Sequence, residues 1–184
     1  MKTEIKICYF GKKRAGKSSI ISHVFQGMES QDTLKIESNN ESKITVYETS
    51  LLKIVNWEIP GKIENFEKLA PKEFENLKYQ DIFIYVYDLR EMDIDVYLKH
   101  LKSCFKILTT QNQHFFFYAF FHQSDLNFLH IVNKVEERIQ IFRTKFENSL
   151  NQDGIDTRPL DQKYSKKTSI YDFTIRSGWI KSFL

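Results

Sequence analysis

The segment from Gly11 to Ser18 has the spacing G-x-x-x-x-G-K-S, with its second glycine at Gly16 and its lysine at Lys17. Glycines let a backbone fold closely around an anion, so that successive N–H groups point inward at phosphate oxygens. In such a loop the lysine adds charge on the outer phosphates of a nucleotide, and the Ser18 hydroxyl ligates Mg²⁺. A helix that starts there adds the positive end of its dipole. The predicted nucleotide-binding residues are Gly11, Lys13, Arg14, Ala15, Gly16, Lys17, Ser18 and Ser19.

Two later segments are candidates for reading the base, because a phosphate loop alone does not distinguish guanine from adenine. Guanine offers its ring N1–H and its 2-amino group to one carboxylate, and Asp125 in "FHQSD" (121–125) is the candidate acceptor, with His122 in the same segment. In "TSIYD" (168–172), a backbone N–H at Ser169 or Ile170 is the candidate donor to the guanine O6. The alternative for Asp125 is a helix cap, since aspartate favours helix N-termini.

Strands and helices alternate along the chain, which predicts a mostly parallel sheet covered on both faces. Ligands of such sheets bind at the carboxyl ends of the strands. Asp88, with Glu91 three residues later, predicts a capping box for the helix that follows. The predicted strands are 4–10, 44–48, 51–57, 81–88 and 114–121, with a weak strand leading into 168–172. The predicted helices are 18–27, a segment in the second half of 62–80, 94–108, 131–146 and 173–184, and residues 28–43 are predicted to be a loop.

The composition indicates one soluble domain. The chain has 184 residues and a net charge of +3, with basic residues spread along it, which argues against a nucleic-acid-binding face. Cys8 and Cys104 are far apart in probable core elements and are expected to be reduced thiols. No leader, lipidation motif or membrane-length apolar run is evident, so any membrane residence is expected to come through a partner.

The segment "WEIPG" (57–61) follows the third predicted strand. Small GTPases place D-x-x-G there, the aspartate holding Mg²⁺ through water and the glycine sensing the γ-phosphate. In this chain the acid is Glu58, one methylene longer, and the glycine is Gly61.

With these segments the chain resembles the guanine-nucleotide domain of a Rag GTPase, nearer the C/D type than the A/B type. "GKKRAGKSSI" is similar to the basic phosphate loop of that branch, "DTLKIES" (32–38) to its switch I, "NWEIPG" to its Trp-Asp-x-Pro-Gly, "IYVYD" to its fourth strand and "TSIYD" to its closing base motif. The matches are collinear and cover nearly the whole chain. The resemblance implies a P-loop small-GTPase fold, with a six-stranded, mostly parallel sheet and helices on both faces. It also implies that residues 1–184 are a single GTPase domain, without the C-terminal dimerisation domain that is typical of the family.

Three departures from the family pattern bear on hydrolysis. Lys62 stands at the water-positioning glutamine, Glu58 at the aspartate, and Gln123 at the lysine that stacks over the base. Lys62 cannot orient water as an amide does, so slow turnover is expected, with Lys17 and the degenerate Lys62 as the catalytic positions. Lys13 replaces a glycine and would crowd an incoming arginine finger. The expected Mg²⁺ ligands are Ser18, Thr33 and Glu58, Thr33 being favoured over Asn39 because an amide suits Mg²⁺ geometry less well.

The resemblance implies a guanine-nucleotide switch, binding GTP or GDP with Mg²⁺, in amino-acid signalling to the target-of-rapamycin kinase. Its expected partners are an A/B-type Rag subunit, as a heterodimer, and regulators of that pathway. Its expected location is the cytoplasm, with recruitment to the lysosomal or vacuolar surface. A pseudo-GTPase scaffold that binds nucleotide without turnover, or not at all, is the alternative. A P-loop kinase of small substrates is a weaker one, since no substrate lid is apparent. The basic Lys12, Lys13 and Arg14 are either solvated loop residues or a source of charge in cis.

Overall fold

The chain folds as a sheet with helices on both faces. The computed structural model describes residues 2–37, 40–61, 71–88, 93–111, 116–122, 132–152 and 169–174. The strands are β1 (Thr3–Phe10), β2 (Lys43–Glu48), β3 (Leu52–Glu58), β4 (Ile82–Asp88), β5 (Phe116–His122) and β6 (Ser169–Thr174). The helices are α1 (Lys17–Gln26), α2 (Ser30–Thr33), α3 (Pro71–Asn76), α4 (Ile94–Gln111) and α5 (Val132–Gln152), and a 3-10 turn (Leu77–Tyr79) follows α3.

The strands form one sheet in the order β2-β3-β1-β4-β5-β6. Among the described strands, β2 alone runs antiparallel to its neighbour, β3, and the other neighbouring pairs are parallel. The parallel register aligns Tyr9 with Glu58 and Asp88 with His122. The carboxyl ends of β1, β3, β4 and β5 therefore share one edge of the sheet, where ligands bind in this class of fold.

Two hydrophobic cores flank the sheet. On one face, Ile20 and Ile21 of α1 pack against β1 and β4. On the other face, α4 and α5 pack an aromatic core over the same strands, with Phe105 and Phe117 in edge-to-face contact at 5.2 Å between ring centroids. Because β4 is covered on both faces, its sequence is a nearly continuous run of apolar residues, as is usual for buried parallel strands. In the part of the chain that the structure describes, no helix has the length and apolar character needed to cross a membrane.

The sequence predicted the early elements closely. The hairpin of β2 and β3 is confirmed, and α1 is capped by Gly27, whose φ of 66° lies in the left-handed region that glycine favours. The predicted loop 28–43 is wrong in part, because it contains the four-residue helix α2. A short run of helix without apolar periodicity leaves no trace in a pattern-based prediction.

Two predictions later in the chain are corrected by the structure. The predicted cap at Asp88 is wrong, because α4 begins at Ile94 and Asp93 caps it, its carboxylate accepting the N–H of Val96 at 3.1 Å. Glu91 lies outside the described residues. The strand predicted to precede "TSIYD" instead includes most of that segment, since β6 spans Ser169–Thr174, and the closing helix does not start at residue 173.

Replacing Phe117 by alanine should lower the free energy of unfolding by roughly 3–5 kcal/mol, because this ring is fully buried between Phe10, Phe105 and Phe146. The matched control is Phe116→Ala, one residue earlier on the opposite side of β5, where half of the ring is exposed (50 %). The control should cost less than about 1 kcal/mol. Urea denaturation of the three proteins measures both values, and equal losses would contradict the assignment of the aromatic core.

Candidate functional site

The loop between β1 and α1 has the shape of a phosphate cradle. Gly11 has a φ of 138°, and a side chain there would collide with the Val86 carbonyl oxygen of β4, 2.3 Å from the position of a Cβ atom. Gly16 adopts a φ of 97° at the N-cap of α1. Both positions therefore require glycine, the first because of close packing against β4 and the second because of its left-handed backbone. These are the two glycines of the predicted motif.

The first turn of α1 is open to an anion. Gly16 provides no side-chain cap, and the first turn contains no acidic residue. The free N–H groups of a helix N-terminus carry partial positive charge and bind phosphate or carboxylate when no side chain occupies them. The helix thus supplies donors next to the loop.

Lys17 is buried at the centre of the loop. Its ammonium donates to the carbonyl oxygens of Gly11 at 2.9 Å and of Lys12 at 3.0 Å. Burial lowers the pKa of Lys17 to about 8, an effect that the carboxylate of Glu58 partly opposes. A desolvated cation held in place by two neutral carbonyls can exchange these partners for phosphate oxygens, since the negative charge of phosphate attracts the ammonium more strongly than a carbonyl dipole does.

Glu58 lies against the start of α1. One of its carboxylate oxygens accepts the Ser18 hydroxyl at 2.6 Å, and the side chain is buried. Hydroxyl and carboxylate oxygens are the ligands that Mg²⁺ prefers, and the ion usually takes only one or two from the protein and the rest from phosphates and water. Within the described ranges, no group of three or more His, Cys, Asp or Glu side chains is placed to hold a metal ion. Ser18 and Glu58 fit a Mg²⁺ site that the nucleotide completes.

Gly61 is packed against the phosphate loop. Its carbonyl accepts the backbone N–H of Lys13 at 2.9 Å, and a Cβ at Gly61 would lie 2.2 Å from that nitrogen and 2.3 Å from the carbonyl carbon of Lys12. Only glycine allows this approach. Residues 59–61, which follow β3, therefore pack directly on the phosphate loop.

The remaining loop residues differ in their surroundings. Ala15 is fully buried and donates its N–H to the Lys12 carbonyl, closing a turn. Arg14 is exposed with a positive φ of 65°, and Lys13 is exposed with its ammonium 3.4 Å from the side-chain oxygen of Asn40. The Lys12 ammonium instead sits 4.6 Å from the centre of the Tyr97 ring on α4.

The structure brings Thr33 close to the loop but turns its hydroxyl away. The Ser19 hydroxyl lies 3.4 Å from the Thr33 carbonyl, whereas the Thr33 hydroxyl donates to the Ser30 carbonyl at 2.7 Å within α2. In this arrangement Thr33 does not offer its hydroxyl to a metal ion. Its role as a ligand stays a prediction that requires α2 to rearrange.

Among the described residues, the predicted base-reading positions lie at two different ends of the strands. His122 ends β5, at the same sheet edge as the phosphate loop. Ser169 and Ile170 lie at the amino ends of the strands, away from the phosphate loop. They start β6 and align with Phe116 and Phe117 at the start of β5. The expectation that they follow the last strand is corrected by this register. Lys62, Gln123 and Asp125, like Asn39, lie outside the described residues.

Sequence reasoning missed a buried polar cluster beneath the loop. His100 of α4 is buried, its Nδ1 3.1 Å from the Tyr85 hydroxyl and its Nε2 3.7 Å from the Cys104 sulfur. Burial, with added repulsion from Lys17 and Lys12, lowers the pKa of His100 to about 4. His100 and Cys104 are spaced i, i+4 and therefore share a helix face, but nothing in their spacing linked them to the glycine loop.

The fold and the sequence both match known G proteins. The family model of the Gtr1/RagA G protein conserved region matches residues 6–181. The chain belongs to the Gtr1/RagA G protein family. It is 27 % identical over 187 residues to Ras-related GTP-binding protein D of Mus musculus, covering 97 % of the chain and 39 % of that relative. It is 32 % identical over 122 residues to GTP-binding protein gtr2 of Schizosaccharomyces pombe, covering 65 % of the chain and 37 % of that relative. Such relatives confirm the predicted C/D branch.

A solved structure supports the fold independently. The nucleotide-analogue-bound Arl6 small GTPase of Trypanosoma brucei superposes with a TM-score of 0.60 at 13 % identity, covering 94 % of the chain and 87 % of that structure. This likeness confirms the P-loop GTPase fold. The Rag-family chain spans well under half the length of the mouse and fission-yeast relatives.

The pKa of His100 predicts a pH-dependent stability. Because His100 titrates near 4 in the folded chain and near 6.5 when unfolded, the unfolded state binds more protons between these values. Neutral His100 therefore contributes about 3 kcal/mol to the free energy of unfolding above pH 6.5, and this contribution is lost as the pH falls toward 4. In urea denaturation across pH 7 to 4, the free energy of unfolding of the wild type should fall by about 3 kcal/mol more than that of His100→Phe, which has no group to titrate at this position. Parallel profiles would contradict this assignment.

Proposed function

We propose that this chain is a guanine-nucleotide-binding switch of the Rag type with slow GTP hydrolysis. The observation that carries the proposal is the glycine-built loop with the buried Lys17 ammonium at its centre, next to the uncapped start of α1. Lys17 and the N–H groups of α1 would hold the phosphates, and Ser18 and Glu58 would face Mg²⁺. The names of the relatives, GTP-binding proteins, support guanine over adenine.

The proposal of slow hydrolysis rests on the residue types at Lys62 and Lys13. Hydrolysis needs an oriented water and compensating positive charge, which a glutamine and an arginine finger commonly supply. Lys62 replaces the glutamine of the family pattern, and the Lys13 side chain is exposed at the position where an incoming arginine would pass. The nucleotide, once bound, would therefore persist until a partner acts.

A second candidate function, the pseudo-GTPase scaffold, rests on a specific observation. Ser18 and Glu58 are hydrogen-bonded to each other at 2.6 Å, and the N–H of Lys13 is bonded to Gly61, so groups expected to face Mg²⁺ and phosphate already have partners. A nucleotide must compete with these contacts. If it competes poorly, the same loop serves as a structural element rather than a binding site.

The cellular role is proposed from the family. The chain would act in amino-acid signalling to the target-of-rapamycin kinase, paired with an A/B-type Rag subunit and in contact with regulators of that pathway. It would be cytoplasmic and recruited by partners to the lysosomal or vacuolar surface. The pairing of Rag-type subunits supports a partner GTPase in general, and co-purification with A/B-type subunits tests it.

Nucleotide titration separates the two candidate functions. Calorimetry with GTP, GDP and ATP, each with and without Mg²⁺, should show guanine preference and Mg²⁺-dependent affinity. Lys17→Met should weaken GTP binding by at least about 100-fold, because it removes a charge-assisted contact in a desolvated site. Lys78→Met is the matched control, since that lysine is exposed in the 3-10 turn before β4, at the opposite end of that strand from the phosphate loop, and should leave the affinity unchanged. No binding by wild type would favour the scaffold, and tight ATP binding would contradict the proposal.

Removing the charge of Lys12 should leave GTP hydrolysis unchanged within about twofold, because a side chain held over an aromatic ring is not available to the γ-phosphate. Single-turnover rates of wild type and Lys12→Met, measured with saturating GTP, test this. Lys13→Met and Arg14→Gln extend the comparison to the two exposed basic residues. A tenfold loss in Lys12→Met alone would instead identify Lys12 as the charge supplied in cis.

A further inference from the structure

Strand β2 is an unpaired edge of the sheet. It lies at the end of the strand order with β3 as its neighbour, and among the described residues no other strand pairs with it. Its sequence, "KITVYE", contains no proline or glycine that would discourage another strand. Natural proteins usually protect such edges, because exposed backbone groups recruit further strands.

The backbone groups that β2 leaves free can be assigned from the register. The Thr49 N–H donates to the Leu52 carbonyl at 2.8 Å, which fixes the bonded positions of the hairpin. Bonded and non-bonded positions alternate in an antiparallel pair. Lys43, Thr45 and Tyr47 are therefore the residues bonded to β3, and the N–H and C=O groups of Ile44, Val46 and Glu48 point away from the sheet.

The side chains of this edge are partly apolar and exposed. Ile44 and Val46 lie on the face opposite α1, because Ile44 aligns with Trp57 of the aromatic core, and they are 62 % and 50 % exposed. On the other face, Tyr47 contacts Phe25 of α1, with ring centroids 6.2 Å apart. Two neighbouring exposed β-branched residues on a free edge indicate an interface.

From these observations we infer that β2 pairs antiparallel with β2 of a second copy of this chain, about a two-fold axis at Thr45. In this register even-numbered residues pair with even-numbered ones and odd with odd. The side chains of each pair therefore lie on the same face, and both faces of the sheet continue across the dimer. It places Ile44 opposite Val46 twice on one face, and Lys43 opposite Tyr47 twice on the other. Ile44 and Val46 are also the residues whose free backbone groups would bond across the axis.

The strand is complementary to itself in this register and less so in the neighbouring one. Centring the pair on Val46 would place Ile44 opposite the Glu48 carboxylate twice and leave Val46, opposite its own copy, as the one apolar pair of that face. Centring on Thr45 brings no two like charges opposite each other, and cross-strand apolar pairs add to the backbone bonds. These arguments identify a second copy, rather than an unrelated strand, as the occupant.

The pairing goes beyond the proposed nucleotide function. None of the residues assigned to phosphate or Mg²⁺ lies on β2, so dimerisation and nucleotide binding can fail separately. It is also distinct from pairing with an A/B-type subunit, which the family achieves through a different domain.

Cysteine trapping tests the register directly. Thr45→Cys should form an intermolecular disulfide under mild oxidation, because it would face itself at a non-bonded position with Cα atoms about 4.5 Å apart, within disulfide range. The native Cys8 and Cys104 are buried and provide a low background. Val46→Cys is the matched probe of the neighbouring register, and preferential trapping there would overturn the proposed register.

Association in solution provides the second measurement. Light scattering of the full chain over a concentration series should show a monomer–dimer equilibrium, and Val46→Lys or Ile44→Lys should weaken it at least about tenfold by placing charge on the edge. Leu51→Lys is the control, since that residue is 77 % exposed in the turn just outside the strand. All variants should keep wild-type nucleotide affinity. A wild-type chain that stays monomeric while binding nucleotide would overturn this inference alone.

Discussion

The buried ammonium of Lys17 constrains everything around it. A desolvated charge must be hydrogen-bonded, and the two carbonyls that accept from it, those of Gly11 and Lys12, belong to the loop itself. The loop can turn those carbonyls inward only because Gly11 packs on the Val86 carbonyl and Gly16 takes a left-handed conformation. The position of this one cation thus depends both on the packing of β1 against β4 and on the start of α1.

The end of β3 and the residues after it also pack against the phosphate loop. Glu58 receives the Ser18 hydroxyl, and Gly61 lies against the backbone of Lys12 and Lys13. The extra methylene of Glu58 relative to aspartate is consistent with direct contact to the hydroxyl where the family pattern has a water-mediated metal contact. Two residues earlier, the side-chain amide of Asn56 is buried, and neither its nitrogen nor its oxygen has a hydrogen-bond partner among the described residues.

The sequence revealed the phosphate loop because its chemistry is local. The glycines, Lys17 and Ser18 act through backbone shape and a helix start that adjoin each other in the chain. The α4 cap at Asp93, the turned hydroxyl of Thr33 and the placement of Ser169 depend instead on where one element ends and another begins. Such boundaries are decided by tertiary packing, which overrides the weak preferences of a few residues.

The basic residues of the loop show why composition alone misleads. Lys12, Lys13 and Arg14 look equivalent as a run, yet the Lys12 ammonium rests on Tyr97 while the other two side chains are exposed. The Tyr97 ring in turn packs edge-on against Tyr85, whose hydroxyl meets His100. The positive charges of Lys12 and Lys17 help to keep His100 neutral. The positive charge of this loop therefore has two effects. It attracts an anionic ligand, and it disfavours the protonated, positively charged form of His100 in the aromatic core.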